Sequence, residues 1–535
     1  MGKRPILVGR ALNWAILATA GSGFMLFGYD QGVMSGLLTG SAWTKTFPQI
    51  DTTTTGHGSS SLQGTVVAIY EVGCFFGSMF CMVYGEAMGR RMSIIIGSII
   101  LCIGAALQTS AFGIPQMIVG RVVAGLGNGM TTSTILSPAN PKPSAVWHSE
   151  LTKAEHRGMG LAVELSTNIF GVMTAYWVDY GMSYVNNDAQ FRFPIALQIF
   201  FSLLTLVGIV LLPESPRWLI AHGRSDEART VLWAVEEDAH QLDEDSPRLL
   251  EEFNAIQDTI NEELKASQGM SWKAMFRNGE QRFCYRTLLG VGGQMMQQLS
   301  GINLITYYAP VIFEESVGMT HNMALLVAGF NGVAYFLSSL IPVWVLDRLG
   351  RRRLMMFAVV GQGCCMAVLA GTIAQGGHAA GLVATVMLFL FNFFFAVGLL
   401  AIPWLLPAEY APLAIRTRSV ALATAVNWIF AFMVVEITPK SFQSIGWGTY
   451  VYFAFFNFAF LPIVYFFFPE TRNLSLEQID KLFTGPKVLL HWDPSMGEPE
   501  GAVKATGREE EGMGPVEKKR SRGDSKVETE HVQRP

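Results

Sequence analysis

Glu86-Ala-Met-Gly89-Arg90-Arg91 and Asp347-Arg-Leu-Gly350-Arg351-Arg352 are one motif written twice, 261 residues apart. Each reads as an acid, two residues, then Gly-Arg-Arg. Two further pairs follow in the same order. Glu150 stands seven residues before Arg157, and Glu409 seven before Arg416; Pro213-Glu214-Ser-Pro-Arg217 is answered by Pro469-Glu470-Thr-Arg472. The offsets of these pairs are 259 and 256 residues. Three ordered coincidences predict a duplicated unit, and what lies between them says of what kind.

Apolar windows of the roughly 20 residues a helix needs to cross hydrocarbon surround the motifs. They fall near 12–38, 62–84, 92–112, 114–136, 158–181 and 193–213, then 284–313, 323–346, 353–374, 380–407, 417–438 and 447–468. The sequence therefore predicts an all-α polytopic membrane protein with twelve transmembrane helices in two six-helix repeats. The expected division is a cytoplasmic N-terminus over 1–11, a first bundle over 12–213 and a cytoplasmic helical segment over 214–282. A second bundle over 283–469 and a cytoplasmic, largely disordered tail over 470–535 complete it. Parallel repeats of this kind place a substrate site at the midplane, between bundles that rock against each other.

Composition points the same way. Of 535 residues, 50% are hydrophobic and 15% charged, with 38 Lys+Arg, 42 Asp+Glu and a net charge of −4. Residues 214–282 and 470–535 hold 47 of the 80 charges, leaving 33 for the other 400 residues. A soluble globule cannot solvate so uncharged a surface, whereas a lipid-facing one needs almost no charge. Soluble enzymes, nucleic-acid binders and disordered scaffolds are excluded. The six cysteines lie in apolar stretches and read as reduced packing residues, and the nine histidines show no metal-ligand spacing. No metal and no cofactor is expected. The glycines of Gly120-Arg-Val-Val-Ala-Gly-Leu-Gly-Asn-Gly129 fall inside a span without a preceding strand, so they read as close helix packing rather than a nucleotide loop.

Lys3, Arg4 and Arg10 precede span one, and basic residues then follow alternate spans: Arg90 and Arg91, Lys153 and Arg157, Arg348 and Arg351 to Arg353, Arg416 and Arg418. By the positive-inside rule both termini and segment 214–282 are cytoplasmic. The acids and arginines at these span ends are expected to form ion pairs between the bundles, a cytoplasmic gate of Glu86, Arg90, Arg91, Glu150, Arg157, Glu214, Arg217, Asp347, Arg351, Arg352, Glu409 and Arg416. An exposed pair contributes only about 0–1 kcal/mol, but a few kcal/mol suffice to bias a two-state transporter.

Gly-Arg-Arg after span two, Pro213-Glu-Ser-Pro-Arg-Trp218, Gln297-Gln-Leu-Ser-Gly-Ile-Asn303 and Pro469-Glu-Thr-Arg-Asn-Leu-Ser-Leu-Glu477 resemble the sugar porter family of the major facilitator superfamily, over about 12–482. Phe27-Gly-Tyr-Asp-Gln-Gly-Val-Met-Ser-Gly36, Tyr70-Glu-Val-Gly-Cys-Phe-Phe-Gly77 and Val146-Trp-His-Ser-Glu150 resemble its fungal branch that includes the yeast glycerol–proton symporter. The resemblance implies a plasma-membrane monomer importing a sugar or polyol together with protons.

Asp30 lies within span one, and a carboxylate there is a functional candidate because it costs roughly 2.5–3.5 kcal/mol on insertion scales. Arg121 in span four is its expected partner, and the resemblance assigns the pair to proton coupling. Glu71 and Glu436 are expected near the membrane surface, in contact with water. Glu164 precedes Leu165, where sugar porters usually place a substrate-binding Gln; an acid at 164 fits the glycerol-symporter branch and adds Glu164 to the proton-coupling candidates. Gln297, Gln298 and Asn303 do not share one face of a regular helix, and a break near Gly301 would let them converge. Amides suit polyhydroxyl ligands, since each both donates and accepts. The resemblance adds Asn331, Trp404 and Asn427 as substrate positions and Tyr307 and Tyr308 as an outer gate.

Two stretches depart from the family. Leu400-Ala401 replaces the Gly-Pro of many hexose carriers, so span ten is expected to bend less. Leu136-Ser-Pro-Ala-Asn-Pro-Lys-Pro-Ser-Ala145 inserts three prolines where relatives run on directly, and deleting it is expected to leave transport intact. Facilitated diffusion, a non-transporting sugar sensor and transport of another hydroxylated metabolite all remain compatible with these residues.

Overall fold

The computed structural model describes residues 6–484, apart from 53–56, 137–156, 237–238, 240–242, 244–245, 268–271, 473 and 475. Glu150 and insertion residues 137–145 lie outside the described residues; Arg157 opens a helix, with its side chain outside them.

The first repeat runs through helices Arg10–Leu37, Ser60–Met88, Arg90–Thr109, Ile114–Leu136, Arg157–Met182 and Ala189–Leu211, spans one to six. The second begins with a broken span seven, Phe283–Leu299 and Ile302–Val311, and a broken span eight, His321–Ser339 and Pro342–Leu349. Span nine is Arg351–Gln375, span ten His378–Gly398 with Ile402–Tyr410, span eleven Arg416–Ile445 and span twelve Gly448–Phe467. Nine of the described helices meet the length and hydropathy of a membrane crossing; spans four, five and seven complete the twelve. Between the repeats lie two short helices, Pro216–Ala221 and Ser225–Val235, and a longer one, Pro247–Ser267.

The duplication is geometric as well as textual. Span one packs on five as seven packs on eleven, two on four as eight on ten, and three on six as nine on twelve. The bundles meet along two span pairs that the repeat exchanges, two with eleven and five with eight, and along span one with the second half of span seven. Spans two and four approach so closely that a Cβ on Gly125 would stand 2.2 Å from the Tyr70 carbonyl, and one on Gly77 2.2 Å from that of Leu126. This is the packing role expected of the 120–129 glycines.

The Gly-Arg-Arg motif is a helix start with a borrowed cap. Gly89 and Gly350 turn the chain at φ 84° and 90°. The first amides of span three, Arg90 and Arg91, donate to the Glu214 carboxylate, and those of span nine, Arg351 and Arg352, to Glu470. An anion at a helix N-terminus meets unpaired N–H groups and the positive end of the dipole. Arg91 also donates to the carbonyls of Ile209 and Val210 at the end of span six, and Arg352 to that of Tyr465 in span twelve. Each repeat thereby pins its third helix to its sixth. Gly350→Ala should lower the unfolding midpoint of the purified protein. Its Cβ would lie 2.5 Å from Glu470 Oε2 at a strained φ, a cost of roughly 1–3 kcal/mol. Gly223→Ala, at φ 72° with nothing within 4 Å, is the control for strain alone, and an equal drop in both variants would contradict the cap.

Several of the acids and arginines named for the expected gate hold contacts within their own bundle. Arg351 bridges Asp347 at 3.0 Å and Glu409 at 3.2 Å, Glu409 also accepts from Thr471 at 2.6 Å, and the Glu86 carbonyl accepts from Trp218. These contacts build each bundle's rigid floor.

Candidate functional site

Hydrogen bonds between the bundles gather away from the Arg-rich end. Ser60 donates to Gln443 at 2.6 Å, Thr65 to Glu436 at 2.7 Å, and the Tyr176 hydroxyl to the Thr306 carbonyl at 2.5 Å. The Tyr307 hydroxyl donates to Glu71. Deeper, Trp428 Nε1 donates to Ser78 at 3.1 Å and Ser166 to the Ser339 carbonyl at 2.8 Å. The two bundles are thus closed over the end opposite the arginines.

Under that closure sits a buried ionisable cluster. Asp30 is 2% exposed, Glu71 0% and Arg121 1%. Asp30 and Arg121 are not in direct contact, against expectation, because Tyr70 stands between them. Its hydroxyl donates to Asp30 Oδ2 at 2.8 Å and its ring lies 5.2 Å from the Arg121 guanidinium. Arg121 instead donates to the Val67 carbonyl at 2.7 Å. Glu71, expected near the membrane surface, lies eleven residues into a helix that starts at Ser60, about 16 Å deep at 1.5 Å per residue. It is sealed against Tyr307 of the other bundle. Glu436 is half-buried near the rim.

Span seven breaks where the amides require it. Gly301 takes φ 97°, and the second half-helix starts at Ile302. Gln298 then accepts from Asn303 Nδ2 at 2.7 Å. Gln297 is turned the other way, donating to the carbonyls of Leu399 and Leu400 and accepting from Asn427 at 2.9 Å. Gln294, one turn earlier and missed in the sequence reading, accepts from Asn427 at 2.6 Å and donates to the Pro403 carbonyl. The Leu399 and Leu400 carbonyls are free because span ten ends one half-helix at Gly398 and starts the next at Ile402, and that of Pro403 because Pro407, four residues on, has no N–H to donate. Span ten therefore breaks without Gly-Pro, with Pro403 opening the new half.

The amides divide into two sets. Gln294, Gln297 and Asn427 satisfy one another and the span-ten break. Among the described residues Gln298 Nε2 and Asn303 Oδ1 find no hydrogen-bond partner, both amide atoms of buried Asn331 are unpartnered, and the Glu164 carboxylate, 5% exposed, makes no hydrogen bond. Trp404 lies half-buried on the second half-helix of span ten. Tyr307 and Tyr308 are buried, and the Tyr308 hydroxyl donates to the Val435 carbonyl at 3.0 Å. A row of spare amide donors and acceptors beside a sealed carboxylate cluster, between two repeats, is the arrangement of a solute carrier.

Known proteins agree. The family model "Sugar (and other) transporter" matches residues 14–483. The chain is 37% identical over 482 residues to the Saccharomyces cerevisiae protein named Sugar transporter STL1, covering 89% of this chain and 82% of that one. It is 37% identical to the Aspergillus oryzae MFS-type transporter oryC, covering 91% and 88%, and 30% identical to a Neurospora africana quinate permease, covering 88% and 89%. The structure superposes on the proton:xylose symporter XylE with a TM-score of 0.69 at 23% identity, over 88% of this chain and 99% of that one. An inward-open conformation of XylE from E. coli gives a TM-score of 0.68 at 22% identity, with the same coverage. With the repeat, the fold and a family match across the whole twelve-helix body, the chain belongs to the sugar (and other) transporter family.

Proposed function

We propose that the protein imports a sugar or polyol together with a proton by alternating access, as a monomer in the plasma membrane with both termini cytoplasmic. The observation that carries this reading is the link between the two sites. Asp30 is tied through Tyr70 to span two, and the neighbouring Glu71 is tied to Tyr307, which follows Asn303 on the same half-helix of span seven. Gln298, Asn303, Asn331 and Trp404 bind the solute, with its hydroxyls on the amides and its carbon face on the indole. Asp30 carries the proton, Arg121 balances its charge, and Glu164 lies beside the solute. Tyr307 and Tyr308 form the outer gate, while the Arg-rich motifs hold each bundle's inner end rigid. The name of the yeast relative and the proton:xylose symport named for XylE support the solute class and the coupling.

The test is uptake in a transport-null host. Labelled glycerol and labelled xylose are each offered alone and against unlabelled glycerol, sorbitol, glucose, xylose and lactose. Accumulation of one label, competition within this panel, cytosolic acidification on solute addition and collapse with a protonophore are expected. Protonophore-insensitive equilibration would make the protein a facilitator, and binding without flux a sensor. Leu165 in place of glutamine favours one second reading, transport of another hydroxylated metabolite, which competition by a cyclic hydroxy acid and by no member of the panel would establish.

A further inference from the structure

Tyr70 and Glu71 are consecutive, yet they serve different bundles. Tyr70 reaches Asp30 on span one, and Glu71 reaches Tyr307 on span seven. Two carboxylates and a single guanidinium are thereby sealed in one site, each less than 3% exposed. Arg121 makes an ion pair with neither carboxylate, though its charge acts on both. Asp30 Oδ1, Glu71 Oε2 and Arg121 Nε are buried without hydrogen-bond partners. With both carboxylates ionised the site would hold an uncompensated negative charge, which is strongly unfavourable where water cannot reach. One proton, on either carboxylate, removes it.

We infer that Glu71 is a second member of the proton site, sharing one proton with Asp30, and that its hydrogen bond from Tyr307 couples that proton to bundle closure. This deepens the proton-coupled reading and rests on it. The Glu71 charge acts on Asp30 and Arg121 acts on both, so a change around one carboxylate is felt by the other. The Tyr307 hydroxyl belongs to the opposite bundle, and its bond exists only while the bundles are closed at this end. Closure therefore alters the surroundings of Glu71 and, through the shared proton, those of Asp30. The other ionisable groups around Glu71 are Tyr70 and Cys74 on its own helix and Arg121 on span four; Tyr308 on span seven faces Arg121 and Glu436, which lies nearer the rim on span eleven. None supplies a second buried cation.

The test compares wild type, Glu71→Gln, Glu71→Asp and Tyr307→Phe at matched surface level, with labelled glycerol or labelled xylose, whichever the wild type accumulates. Accumulation, exchange between equal pools and solute-evoked cytosolic acidification are read across external pH. Glu71→Gln should retain exchange, lose acidification and accumulate at least about tenfold less, the driving force of one pH unit on one proton. Glu71→Asp should restore acidification with a displaced pH profile, and Tyr307→Phe should displace the profile while acidification persists. Wild-type acidification and accumulation in Glu71→Gln would overturn the proposal, as would loss of exchange in that variant with no rescue by aspartate. If the Gln variant fails to reach the surface, unchanged profiles in the other two overturn it equally. Absence of acidification in wild type would instead overturn the proton-coupled reading itself.

Discussion

Asp30→Asn abolishes uphill accumulation and solute-evoked acidification, while exchange between equal pools continues. An asparagine fits the site, since Tyr70 can donate to its side-chain oxygen as it now donates to Asp30 at 2.8 Å. An amide does not titrate, so net transport loses its proton while the helices keep their packing. A potential of about 100 mV supplies roughly 2.3 kcal/mol per charge, and one pH unit about 1.4 kcal/mol. Together they sustain a gradient of several hundredfold for a neutral solute, at about 1.4 kcal/mol per factor of ten. The expected change is thus from several hundredfold to unity. Labelled solute and cytosolic pH recorded in the same cells measure it. Full concentrative uptake by the Asn variant would remove Asp30 from the coupling and leave Glu71 and Glu164 as candidates.

Gln298→Ala and Gln297→Ala, one residue apart, should fail in different ways. Gln298 keeps a free amide nitrogen and bonds only to Asn303, so its loss leaves a solute hydroxyl without a partner. The apparent KM should rise about tenfold, as for one buried hydrogen bond, with a smaller loss of thermal stability than at Gln297, since only Asn303 Nδ2 is stranded. Gln297 holds the Leu399 and Leu400 carbonyls and Asn427. Its loss strands buried groups at about 1–3 kcal/mol each, and the purified protein should melt earlier. Transport assays together with unfolding in detergent separate the two, and a shared phenotype would erase the division between binding and bracing amides.

The fold was legible because the repeat is carried by groups the backbone needs. A glycine turning at positive φ and a carboxylate capping the next helix leave fixed letters at fixed distances. The Gly301 break was legible for a similar reason, since three amides at that spacing converge only across one. The span-ten break was not, because Ala401 replaces the expected pair and only Pro403 marks the new half-helix. Glu71 was misplaced because hydropathy gives a helix's extent and not which face an acid takes or what the other bundle presents to it. The contacts that Arg351 makes inside its own bundle were not legible, because spacing along the chain says nothing about which bundle holds a partner. Gln294 was missed although it sits three residues before Gln297, one turn along the same face.

The placement of the bundle contacts fixes the order in which they yield. Ser78–Trp428 and Ser166–Ser339 lie deepest and act as a fulcrum. Ser60, on the same helix as Ser78, is eighteen residues further along, a lever arm of about 27 Å at 1.5 Å per residue. A rotation of about 6° parts the Ser60–Gln443 bond by about 3 Å over that arm, yet moves the atoms at the fulcrum hardly at all. Torque therefore opens the seam from the rim inward, Ser60 and Gln443 first, Thr65 and Glu436 next, and the Tyr307–Glu71 bond only once the bundles have already begun to swing.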